Sequence, residues 1–280
     1  MMKNMPVLHK LSVIFFAICL AGMVALQAIY SAPLPVVMPV VPVWLGPPIV
    51  WAYLFNLWFV AAAACMVTGK MVKQVLLLMG LFFLISVLFF HTPAVLSLYP
   101  AHFGSWTNAL KALAFSGGAF IISELFPQQQ VQNRLYRWLD KISVAGPYFF
   151  GIMMVIFGYD HFIYQQFVST LVPAWIPGAM FWTYFAGVAL MAGGVGIICN
   201  IKLAGTLSGA MIFLWFIFLH IPRAVADPYG DNSNEWTSVF EALAFSGMAY
   251  LTGTRLKRDK SKLARQGITV TLSQGRAAGL

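Results

Sequence analysis

The residues able to do chemistry gather in two stretches related by an offset of 129 to 130 positions. From His220 the chain runs through Pro222 and Arg223, then an acidic loop with Asp227, Asp231 and Glu235. Trp236-Thr237 and Glu241 follow, leading into Ala-Leu-Ala-Phe-Ser-Gly at 242–247. From His91 it runs through Pro93 and a polar loop to Trp106-Thr107, Lys111 and the same Ala-Leu-Ala-Phe-Ser-Gly at 112–117. A shared hexapeptide with His, Pro, Trp and Thr in register marks an internal duplication. Only the second copy keeps a charged set. Asp160-His161 stands where the first copy has Ser31-Ala32, and neither Arg223 nor Glu235 has a charged counterpart.

These residue types define a chemistry. A histidine exchanges protons near neutral pH, a neighbouring carboxylate orients it, and a guanidinium holds an anionic or carbonyl oxygen. Asp160, His161 and His220 are therefore the candidates for proton exchange and orientation. Arg223, Glu235, Trp236, Glu241, Trp175 and Trp182 are the candidates for lining a substrate cavity. The same charged set also reads as an ion-pair network fastening helix ends. Lys111 and Glu241 hold equivalent places five residues past their tryptophans, so they can pair across the axis relating the repeats; otherwise Lys111 snorkels and Glu241 bonds locally. His91 and His220 read as hydrogen-bonding residues at helix ends rather than as axial haem ligands. Cys19, Cys65 and Cys199 lie in apolar runs without metal spacing, so no metal site is expected.

The elements that must position these groups follow from composition. Sixty per cent of the residues are hydrophobic, only 9% are charged, and mean hydropathy is +0.81. A soluble fold of this length carries more charge to cover its surface. Successive apolar runs are each long enough to cross ~30 Å of hydrocarbon. The reading is an all-α polytopic membrane protein with spans at about 11–30, 49–67, 73–92, 106–124, 146–164, 180–199, 203–221 and 236–253. Residues 1–125 form one four-helix repeat and 146–254 a second. Residues 126–145 form a linker that is either plain or a short amphipathic helix, and 255–280 a basic, disordered tail.

Charge sets the orientation. Fifteen of the 17 Lys and Arg residues fall on one side, leaving only Arg223 opposite and Lys111 within a span. That side is the cytoplasm, so both termini are cytoplasmic and the polar cluster faces outward. An even number of spans per repeat makes the repeats parallel. The net charge of +9 lies in loops and tail and does not form a nucleic-acid surface. Membrane lipids are the expected contacts, and an ionisable group turned toward them costs ~2.5–3.5 kcal/mol or more.

The stretch 157–247 resembles the DoxX family of bacterial inner-membrane proteins. The resemblance rests on Phe-Gly-Tyr-Asp-His-Phe at 157–162, Val-Pro-Ala-Trp-Ile-Pro-Gly at 172–178 and Phe-Trp-Thr-Tyr-Phe-Ala-Gly at 181–187. It continues with His-Ile-Pro-Arg at 220–223 and Asn-Glu-Trp-Thr at 234–237. It implies four-helix membrane units and an oxidoreductase membrane subunit. Such a subunit would support quinone- or thiol-linked redox chemistry beside a soluble or membrane oxidoreductase. A non-enzymatic assembly protein binding a lipid or a partner is the alternative, and a small-solute transporter the third.

Overall fold

The computed structural model describes residues 5–98, 102–126, 133–229 and 234–254. The expected tail at 255–280 and Asp231 lie outside the described residues. The order is α1 (Val7–Tyr30), α2 (Pro48–Thr68), α3 (Val72–Ile85), a π-helical stretch (Ser86–His91), α4 (Thr92–Leu98) and α5 (Thr107–Ser123). Then come α6 (Arg134–Ile142), α7 (Gly146–Ile163), α8 (Gln165–Thr170), α9 (Ala179–Ile198) and α10 (Lys202–Trp215). A second π-helical stretch (Phe216–His220), α11 (Ile221–Ala226) and α12 (Asn234–Thr254) complete it. No strand occurs among the described residues.

Six helical segments are long and apolar enough to cross a membrane: Val7–Tyr30, Pro48–Thr68, Val72–Leu98, Arg134–Ile163, Ala179–Ile198 and Lys202–Ala226. The chain is therefore a multi-pass membrane protein. The other two expected spans are α5 and α12, which carry the repeated hexapeptide. They are the most enclosed helices, buried almost continuously over residues 109–123 and 237–253. A helix screened from lipid by its neighbours has no need of an apolar surface all round.

Consecutive long helices pack in a closed circuit: α1 on α2, α2 on α3, α3 on α5, α5 on α7, α7 on α9, α9 on α10, α10 on α12 and α12 back on α1. In addition α5 packs on α12 across the middle. The two expected four-helix groups are thus joined along their seams. The first helix of each half lies against the last helix of the other half, so each half is walled by its own four helices and one borrowed from its twin. Close backbone approach makes this possible. A Cβ on Gly146 would sit 2.7 Å from the Gly117 carbonyl, locking α7 to α5. On the matching seam, Ser12 Oγ donates to the Gly247 carbonyl at 2.8 Å and His9 Nε2 lies 3.1 Å from Thr254 Oγ1. The equivalent rings Phe115 and Phe245 meet between the halves with centroids 5.0 Å apart.

Glycine also sets the α7–α9 contact. A Cβ on Gly158 would lie 2.6 Å from the Gly187 carbonyl, and one on Gly151 2.8 Å from the Gly194 carbonyl. Between the halves, the linker holds the amphipathic helix α6, capped by Asn133. Buried Leu139 packs with Leu77 and Phe120, and Lys73 Nζ lies 2.6 Å from Asp140 Oδ1. Leu135 and Trp138 stay exposed.

His91 and His220 were expected at helix ends; instead the chain stays helical past both. Each closes a π-helical stretch, and a proline follows two residues later. Proline removes a hydrogen bond and its ring crowds the carbonyl four residues back. Widening the preceding turn accommodates both effects without ending the helix.

Candidate functional site

The polar groups of the second half fall into two sets. The inner set sits where α10, the π-helical stretch and α11 meet α12, with Lys111 reaching it from α5. Lys111 Nζ on α5 lies 2.7 Å from Glu241 Oε2 on α12, with side chains only 12% and 3% exposed. Nearly two turns nearer the helix start, Arg223 pairs with Glu235. His220 lies within electrostatic reach of both Lys111 and Arg223. Its buried Nδ1 and the buried Glu241 Oε1 have no hydrogen-bond partner among the described residues. Trp236 is half-buried against the core.

The second set lies along α7. Asp160 is within electrostatic reach of His102, ahead of α5, and its buried Oδ1 has no hydrogen-bond partner among the described residues. His102 packs on Tyr164 with centroids 5.5 Å apart, and the Tyr164 hydroxyl accepts from Gly104 N at 3.1 Å. His161 faces α9, with its Cβ against Gly187, and its Nδ1 donates to the Phe157 carbonyl of its own helix at 2.7 Å. No hydrogen bond or ion pair among the described residues joins Asp160, His161 and His220 to one another. The helix period explains this: neighbours in sequence point about 100° apart, toward different helices.

Trp175 and Trp182, expected among the cavity-lining residues, both lie exposed on the outer surface. Trp175 is 64% exposed and packs edge-on against exposed Phe218. Trp182, 42% exposed, donates to the Pro177 carbonyl and packs on Phe181 and Phe185 along the outer face of α9. Thr183, one residue on, is the inward side chain.

The clearest feature of the site is its twin. In the first half the loop after α1 folds inward and buries Leu34, Val36, Val37 and Met38 to 2% exposure or less. Three side chains hold its backbone. His91 Nε2 donates to the Val36 carbonyl at 3.2 Å, Ser86 Oγ donates to the Val37 carbonyl at 2.5 Å, and Gln27 Oε1 accepts from Leu34 N at 3.3 Å. Gln27 is itself fixed by Asn56, at 2.7 Å. In the second half the corresponding chain forms α8, which has no buried residue and packs outside on α7 and α9. Among the described residues no backbone carbonyl meets His220 Nδ1 in the way that Val36 meets His91. His91 is 1% exposed, whereas His220 is only half-buried, as are Ile156 and Trp215 at the positions of Gln27 and Ser86.

Sequence reasoning passed over Gln27, Asn56 and Ser86, although polar groups inside apolar runs are the available signal. It also passed over His102 and Tyr164, which carry no such signal. Among the described residues no cluster of three His, Cys, Asp or Glu side chains could hold a metal ion. No known protein family, curated protein or solved structure matches the chain.

Proposed function

We propose that this chain is an eight-span membrane protein of two like-facing repeats, with both termini cytoplasmic. Its second repeat holds a small, mainly apolar molecule at the outer end of the bundle. The enclosure of α5 and α12 supports eight spans, because helices ringed by others need less hydrophobicity than lipid-facing ones. The lopsided Lys and Arg count supports the orientation. The difference between the twins carries the binding role: the first repeat closes its outer end with its own loop, and in the second His220 Nδ1 has no hydrogen-bond partner among the described residues. Ligand sites in helical bundles form between helices in this way.

Binding is favoured over proton transfer because no hydrogen bond or ion pair among the described residues joins Asp160, His161 and His220, and His161 Nδ1 is bonded to its own helix. A DoxX-type redox role beside an oxidoreductase remains a proposal that rests on residues 157–247 alone. Two experiments test the reading. A photoreactive alkyl diazirine should label the peptides holding Trp215–Arg223 and Trp236–Glu241 saturably. The equivalent peptides holding His91 and Lys111 should take up far less. Equal labelling of the two repeats, as for ordinary annular lipid, removes the binding role. Exposed Cys199, at the end of α9, should react with an impermeant maleimide only after the membrane is opened from the cytoplasmic side. Labelling of intact cells reverses the orientation.

A further inference from the structure

The first repeat's loop is a template for what the second repeat holds. We infer that the occupant of the second repeat is a long-chain acyl lipid, seated with one neutral ester carbonyl on His220 and its hydrocarbon among Ile156, Trp215 and Trp236. This rests on the reading of that end of the second repeat as a binding site.

The argument compares three equivalent positions. The loop of the first repeat is a peptide, and it needs three partners: an acceptor on Gln27 and donors on Ser86 and His91. At the matching positions the second repeat has Ile156, Trp215 and His220. Two of the three polar partners are gone, and apolar side chains that pack on the core replace them. A peptide backbone lodged there would leave amide and carbonyl groups unbonded, each costing about 1–3 kcal/mol. An occupant with one acceptor and otherwise hydrocarbon loses nothing. The retained partner is the histidine that binds a carbonyl in the first repeat, and an imidazole N–H can serve an ester carbonyl equally.

Charge argues the same way. Lys111 is paired with Glu241, and Arg223 with Glu235. Each cation near His220 has its own carboxylate, so no uncompensated charge invites a charged solute. An ester carbonyl lies just inside the headgroup region of a bilayer. By the proposed topology His220 lies near the outer end of its span, at a matching depth.

Native mass spectrometry of the full-length protein, purified in detergent and incubated with an equimolar pair of lipids, tests this. The pair shares headgroup and chain length; one member is a diester and the other a dialkyl ether without carbonyls. One hydrogen bond predicts a roughly three- to tenfold preference for the diester. His220→Ala should abolish the preference, and His220→Gln, which keeps a donor, should retain most of it. A wild-type protein that retains both lipids equally, or a preference unchanged in His220→Ala, overturns the acyl-ester assignment while the binding site stands. Retention of neither lipid overturns the binding site itself. The wild-type comparison needs no variant, so a misfolded His220→Ala does not block the test.

Discussion

Removing one member of the Lys111–Glu241 pair should cost far more than removing both. The groups are 2.7 Å apart and nearly inaccessible. At an effective dielectric near 20 their attraction is about 6 kcal/mol. Burial of two ions cancels most of that, several kcal/mol for each, so the intact pair is close to neutral against two well-packed apolar side chains. A lone survivor has lost its partner and kept its desolvation penalty, which costs about 3–5 kcal/mol. Lys111→Met and Glu241→Gln should each lower stability by that amount, and the double variant by less than about 2 kcal/mol. The repeat adds a sharper arm. The two positions are equivalent, so the exchange Lys111→Glu with Glu241→Lys seats each charge in its twin's place and should recover most of the wild-type stability. Recovery should be incomplete, because the exchange moves the carboxylate toward His220 and the ammonium toward Cys19, which lies in the field of Glu241. Tryptophan-detected unfolding by increasing mole fraction of denaturing detergent measures all four variants. Additive single effects, with a coupling energy below about 0.5 kcal/mol, would refute the reasoning.

Other perturbations separate the two repeats and the two ends. His91→Ala should destabilise by about 1 kcal/mol, through loss of the bond to Val36, and should speed proteolysis in the 31–42 loop. His220→Ala should leave ligand-free stability within about 0.5 kcal/mol, since His220 Nδ1 has no hydrogen-bond partner to lose among the described residues. Equal losses in the two variants would remove the distinction between the repeats. Gly187→Leu should cost at least about 1–3 kcal/mol, because even its Cβ would meet His161 Cβ at 2.9 Å and the Gly158 carbonyl at 3.0 Å. Wild-type unfolding of that variant would mean that α7 and α9 are not in backbone contact. Lys73→Ala should loosen α6 from α3, seen as faster trypsin cleavage after Arg134 and Arg137 in inverted vesicles, whereas an unchanged rate would show that Leu139 alone holds the helix.

Much of the architecture is legible in the chain as written. Apolar runs of spanning length require membrane helices, because hydrocarbon offers the backbone no hydrogen-bond partner. The duplicated hexapeptide points to two repeats, and its equivalent Lys111 and Glu241 offer a pair, since a buried charge needs an opposite one, although a snorkelling Lys111 fits the same sequence. Gly117, Gly118, Gly187, Gly193, Gly194 and Gly196 mark close approach, although sequence does not say which helices approach.

Only the tertiary arrangement decided the rest. Apolar runs place α5 and α12 as spans, but hydropathy does not say that their surroundings are other helices rather than lipid. The partner of a first helix depends on how two repeats close on each other, and here it lies in the opposite repeat. Trp182 and Thr183 are adjacent in sequence, yet one faces outward and the other inward, because helix phase is fixed by packing. The inward fold of Leu34–Met38 depends on Gln27, Ser86 and His91, brought from three places along the chain. A linear string shows that its twin lacks two of these groups. The significance of the missing groups appears only once the backbone they hold is in view.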